Sequence, residues 1–121
     1  MTEALTIEEI ARILDAEVHT EGADLSRKVS TACASDLMSD VLAFSKPRSI
    51  LLSGLNTPQT IRTAEVADLL AVCLAFGKTP DVKMIELAEE SNIPLMTTAS
   101  SLYSASGRLY INGLHGSVET Q

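Results

Sequence analysis

The stretch from Ile50 to Thr98 constrains the fold most strongly. It alternates short apolar runs with loops and helical segments. The runs are Ile50-Leu51-Leu52, Leu69 through Phe76, and Ile93-Pro94-Leu95-Met96. Asn56-Thr57-Pro58-Gln59 opens one intervening helical segment, and Thr79-Pro80-Asp81 opens the other. Parallel strands need crossovers of this kind, so the pattern predicts a βαβαβ unit. The run from Leu69 to Phe76 is apolar throughout, which suits a central strand covered on both faces. The expected class is therefore α/β: an open, mostly parallel sheet with a βαβαβ core and helices packed on it.

The flanks read as additions to that unit. Thr6 and Glu9 form a capping-box pattern, followed by Ile7, Ile10, Ile13 and Leu14 at helical spacing. Glu17-Val18-His19 reads as a short strand, and Val29 to Ala34 as a strand of small residues. Ser35 and Asp36 are N-cap candidates for a helix that places Leu37, Val41 and Phe44 on one face. Pro58 suits the first turn of a helix running to Asp68, with Asn56 or Thr57 as its cap. Gln59, Arg62, Thr63 and Glu65 are expected on its outer side. Thr79 is expected to cap the following helix, with Val82, Ile85 and Ala88 as its apolar stripe. Ser100 is placed as the cap of a last helix that Gly107 weakens. The expected domain covers residues 1–112, and residues 113–121 are expected to form a flexible tail.

Composition narrows the function classes. With 16 acidic and 9 basic residues, the formal net charge is −7. Phosphate neutralisation dominates nucleic-acid affinity, so no nucleic-acid partner is expected. No segment approaches the length of a membrane span, and Met1-Thr2-Glu3-Ala4 lacks a signal-peptide layout, so the expected location is cytoplasmic, with no membrane partner. Cys33 and Cys73 lie in strand-like apolar runs without a CxxC partner, which predicts buried thiols and no metal.

No catalytic constellation emerges. Gly77-Lys78-Thr79 resembles the tail of a phosphate-binding P-loop, but the glycine required five positions earlier is Val72. His19 and His115 are isolated, and Asp36 and Asp40 read as a cap and a solvated carboxylate. The candidate ligand site comes from topology: in open parallel sheets ligands bind beyond the carboxyl ends of the strands. Those ends carry Ser53, Gly54, Asn56, Thr57, Gln59, Thr97, Thr98 and Ser100. They are small residues beside helix N-termini, whose free N–H groups favour an anion.

Four stretches together resemble a DRTGG domain, over Thr6 to Leu109. They are Ala34-Ser35-Asp36-Leu37-Met38-Ser39-Asp40-Val41-Leu42-Ala43, Leu51 through Glu65, Gly77-Lys78-Thr79-Pro80, and Ile85 through Thr98. The last is also similar to the N-terminal domain of HPr kinase/phosphorylase. Asp24-Leu25-Ser26-Arg27-Lys28-Val29 is similar to the uridine-nucleotide-binding N-terminal domain of Mur ligases, with Leu25 splitting the Asp-Ser-Arg order. The DRTGG namesake motif is absent, and Gly54-Leu55-Asn56-Thr57-Pro58-Gln59 occupies the corresponding loop. The resemblance implies a regulatory or assembly module, usually joined to CBS pairs, a phosphotransacetylase or a kinase domain. This chain is expected to have no room for those partners and to stand alone.

The resulting expectation is a non-enzymatic regulatory or interaction module without a cofactor, sensing a small anionic ligand such as a nucleotide. A homodimer and a protein partner in a metabolic or signalling complex are also expected. The alternatives are a transferase or hydrolase with its site at the strand ends, and a structural subunit of a larger metabolic enzyme complex.

Overall fold

The computed structural model describes residues 4–116. Leu5–Thr6 (β1) leads directly into Ile7–Leu14 (α1), whose capping box is formed in full. Thr6 Oγ1 accepts the Glu9 N–H at 3.0 Å, and the Glu9 carboxylate accepts the Thr6 N–H at 2.8 Å. Glu17–Val18 (β2) follows. Lys28–Val29 (β3) pairs antiparallel with β1, and Thr31–Ala34 (β4) enters the main sheet. The single strand expected over Val29 to Ala34 is thus split at Ser30, because its two halves join different sheets.

The remainder alternates as the periodicity demands. Met38–Phe44 is α2, Ile50–Ser53 β5, Pro58–Val66 α3, Ala71–Leu74 β6, Val82–Glu90 α4, Leu95–Thr97 β7, Leu102–Ile111 α5 and His115–Gly116 β8. The six-stranded sheet has the order β2-β7-β6-β5-β4-β8. All its pairings are parallel except β2 with β7. The βαβαβ unit occupies the centre, and every residue of β5 and β6 is buried.

Strand alternation divides the core into two. Ile50, Leu52, Cys73 and Met96 face α1 and α5, where Ile7, Ile10, Leu14, Ala105 and Leu109 meet them. Leu51, Val72, Leu74 and Leu95 face the other side, where Met38, Val41, Ile61, Ala64, Met84 and Ala88 close over them. Successive strand side chains point to opposite faces, so a run that is apolar at every position needs both layers.

Several helix boundaries differ from the sequence expectation. Asp36 is not a cap, because its carboxylate turns to the loop after β5. Leu37 takes the cap position without a side-chain bond, and Met38 and Val41 form the buried face. Leu37 and Phe44, expected inward, are each 58% exposed. Thr63 is buried under α3 instead of facing water. Asp81, not Thr79, caps α4 by accepting the Met84 N–H at 3.3 Å. Val82, in the first turn beyond the sheet, is exposed, and Met84 takes its expected place in the core. Ser101, not Ser100, caps α5, and Gly107 lies inside that helix. The segment read as a tail packs Leu114 into the core and adds β8 beside β4. Residues 117–121 lie outside the described residues.

Candidate functional site

The loop leaving β5 is organised by a carboxylate. Asp36 Oδ1 accepts the Gly54 N–H at 2.6 Å and the Ser53 hydroxyl at 3.0 Å. Ser53 Oγ in turn accepts the Leu55 N–H at 3.1 Å. The Lys78 ammonium reaches across from the loop after β6 and donates to the Gly54 carbonyl. A backbone N–H, a hydroxyl and a nearby ammonium are the groups an anion would recruit at a strand end. Here the protein's own Asp36 takes the first two, and the Gly54 carbonyl takes the ammonium.

Asn56 joins two βα loops. Its Nδ2 donates to the Thr79 carbonyl at 2.7 Å, and its Oδ1 accepts the Asp81 N–H at 3.0 Å. Thr57 stands at the N-cap of α3 but makes no side-chain cap bond, and its hydroxyl is buried without a partner. Thr60 Oγ1 instead closes the first turn on the Leu55 carbonyl at 2.6 Å. Gln59 is exposed.

The open space at this end of the sheet lies beyond β6 and β7. A cleft of about 310 Å³ is lined by Asp15, Glu17, His19, Thr97, Thr98 and Ala99 and by the Gly77-Lys78-Thr79 loop. His19 Nε2 and Thr97 Oγ1 are 2.8 Å apart. Thr98 is buried, its hydroxyl donating to the Leu14 carbonyl at 2.7 Å and accepting the Ser100 N–H at 3.3 Å. Thr97 and Thr98 are therefore brought together, while Asn56 and Thr57 are not among the walls of their cleft.

The loop above this cleft is strained. Phe76 and Gly77 both lie in the left-handed region, at φ 69° and 64°. A bulky residue rarely adopts it, and the cost persists only where surroundings over-determine it. Here the Phe76 N–H is held by the Ser100 carbonyl at 2.8 Å and the Gly77 N–H by the Thr98 carbonyl at 2.9 Å. The Phe76 side chain is 54% exposed.

Asp15, Glu17, His19 and Lys78 are the wall residues that sequence reasoning did not select. Lys78 carried a signal in the truncated P-loop likeness. Asp15 carried none, since only the left-handed end of α1, at φ 50°, turns it to the cleft. The cysteines stand apart. Burial pushes the Cys73 thiol up to about 12, and burial followed by the Asp40 charge raises that of Cys33. Among the described residues, no group of three His, Cys, Asp or Glu side chains could hold a metal ion. No helix there is long and apolar enough to cross a membrane.

No protein-family model matches the chain, and no curated protein matches it in sequence. Its structure is similar to the CBS and DRTGG domains of the regulatory region of a Clostridium perfringens pyrophosphatase, solved with the activator diadenosine tetraphosphate. The superposition has a TM-score of 0.74 at 20% identity and covers 90% of this chain. This chain spans about half of that one, 47% of its length. The α/β sheet with five helices packed on it is thus a DRTGG-like fold, shared with the regulatory region of an enzyme.

Proposed function

We propose that this chain is a non-enzymatic regulatory module that senses a nucleotide in the cleft beyond β6 and β7. One observation carries the reading: a cation, two carboxylates and hydroxyl groups wall a single cleft at the strand ends of a DRTGG-like fold. Strand ends of an open parallel sheet are where ligands bind. Asp15 and Glu17 would disfavour a bare anion but suit ribose hydroxyls as donors. Lys78 suits a phosphate, and the exposed Phe76 ring, adjacent to Gly77 of the cleft wall, offers a face for a base. Of the residues selected from sequence, Thr97 and Thr98 belong to this site, with Ser100 behind them. Ser53, Gly54 and Asn56 hold its loops in place. Action in the cytoplasm as a homodimer, through a protein partner, completes the proposal.

The likeness of the fold to the regulatory region of a pyrophosphatase supports a sensing role over catalysis. Calorimetric titration with ATP, ADP, diadenosine tetraphosphate and inorganic phosphate tests it. Saturable binding of an adenine nucleotide, with weaker or no binding of phosphate, is expected. Thermal stability should then rise as RT ln(1 + [L]/Kd). Flat responses across the panel at millimolar concentration overturn it.

A further inference from the structure

The outer face of α5 exposes large apolar side chains around a glycine. Ala105 and Leu109 are buried beneath the helix, so Gly107, on the opposite side, points to solvent. Tyr103 is 89% exposed, Tyr110 55% and Ile111 85%. Together they rim an open groove of about 590 Å³ with Gly107 between them. The chain has only two tyrosines, and both stand here.

Nothing inside the chain calls for glycine at position 107. Its backbone is helical and outside the left-handed region. A Cβ built there meets no atom within 4 Å. Glycine in a helix interior costs stability relative to alanine. How closely two helices approach depends on the side chains at their contact. A missing side chain at the centre of an exposed apolar face is explained by a second helix that crosses it closely.

Geometry, charge and area select a second copy of this chain as that neighbour. Tyr103 and Ile111 lie four residues before and four residues after Gly107. An antiparallel copy of α5 crossing at Gly107 therefore sets Tyr103 of each helix opposite the partner's Ile111, and Ser104 opposite the partner's Tyr110. The face is self-complementary, as a two-fold interface requires. From Ser101 to Gly116 there is no acidic residue, in a chain of formal charge −7. Two copies can meet here without opposing carboxylates, whose juxtaposition is costly. At their exposures the two tyrosines and Ile111 offer roughly 450 Å², over half of the roughly 800 Å² per partner in a standard interface. The Tyr110 ring is already ordered by stacking on His115, with centroids 4.5 Å apart, so less freedom is lost on association.

We propose that α5 is the homodimer interface, with the two helices antiparallel and crossing at Gly107. The inference rests on the homodimer of the proposed function and names its surface. No residue of α5 lines the nucleotide cleft, so dimerisation and nucleotide binding can fail separately.

Sedimentation velocity of the full chain, from about 1 μM to about 1 mM, tests it. A reversible dimer with a Kd in the micromolar range is expected. Gly107→Gln fills the crossing point and should raise that Kd about tenfold or more, as should Ile111→Ser. Val66→Ser, at an apolar residue 77% exposed on α3, should leave it unchanged. Gly107→Gln should unfold thermally no earlier than the native chain at concentrations where both are monomeric, because its side chain meets open space. It should also keep its affinity for adenine nucleotides, which separates loss of the dimer from loss of the nucleotide site. A chain that stays monomeric at about 1 mM, or a dimer that Gly107→Gln and Ile111→Ser leave intact, overturns the proposal.

Discussion

Asp36 Oδ1 accepts the Gly54 N–H at 2.6 Å, so a carboxylate from the β4–α2 connection seals the loop that leaves β5. The same oxygen takes the Ser53 hydroxyl at 3.0 Å. Asp36→Ala leaves both donors without their partner and should destabilise the fold by about 1–3 kcal/mol. Urea unfolding monitored by circular dichroism measures it. A change within error would show that water replaces the carboxylate without loss.

Gly54 itself should tolerate a methyl group. A Cβ built there lies 3.4 Å from both Asp36 carboxylate oxygens and 3.5 Å from Lys78 Nζ, which is ordinary contact. Its φ is not among the positive values. Gly54→Ala should therefore change stability by less than about 1 kcal/mol, against the larger loss for Asp36→Ala. The same urea curves compare the two, and a loss for Gly54→Ala as large as for Asp36→Ala would refute the contrast.

Phe76 separates stability from ligand binding. At φ 69° its backbone carries left-handed strain that glycine does not feel. For a non-glycine residue that strain is about 1–2 kcal/mol. Phe76→Gly should be neutral to stabilising by about 1 kcal/mol. It should also weaken adenine-nucleotide binding in the same calorimetric assay. Unchanged nucleotide affinity would remove the ring from the proposed site.

Thr98 offers a buried test of the loop between β7 and α5. Its hydroxyl donates to the Leu14 carbonyl at 2.7 Å and accepts the Ser100 N–H at 3.3 Å. Thr98→Val keeps the shape but leaves those groups unpaired, with an expected loss of about 1–3 kcal/mol. Thermal and urea unfolding should agree on it. A neutral outcome would contradict the burial of this hydroxyl.

Cys73 predicts an alkaline effect. Its folded thiol is raised to about 12 by burial, whereas an unfolded one titrates near the ordinary value of 9.0. A raised folded pKa favours the protonated form. The contribution is fully present below about pH 9 and lost as pH rises toward 12. Cys73→Ala should lose less stability than the native chain between pH 9 and the highest pH at which folding persists. Thiol reagents should modify Cys73 only as fast as the protein opens.

Glu9 acts at the other end of the scale. The Thr6 backbone bond first, then its side-chain bond, lowers the Glu9 carboxyl from its ordinary value of 4.5. Its contribution is present above that value and lost as pH falls through the lowered folded value. Glu9→Gln should flatten this part of the acid unfolding profile. Unfolding followed from pH 6 to pH 2 shows whether it does.

Much of the fold was legible along the chain. The capping box at Thr6 and Glu9, the three buried runs and their crossovers are local or periodic signals, and the structure contains each of them. The helix starts were less legible because several competent caps adjoin one another. Asp36 was drawn to Gly54 instead of capping α2, and Asp81 prevailed over Thr79 at α4. A side chain's choice between its own helix and a loop 18 positions away is a tertiary competition.

The candidate sites show the same division. Periodicity and turn chemistry in the sequence determined the α/β class, the central parallel strands and the end of the sheet where a ligand would be sought, because strand direction and helix crossovers follow from local pattern. Tertiary structure alone decided which groups meet there. It closed the β5 loop with Asp36, joined Asn56 to the loop before α4, and brought Asp15, Glu17 and His19 beside Lys78, Thr97 and Thr98. It also set the Arg27 guanidinium against the Asn92 carbonyl, 65 positions away. These contacts depend on strand order, which no local spacing encodes: the edge strand β2 must return antiparallel beside β7 before its flanks can wall the cleft.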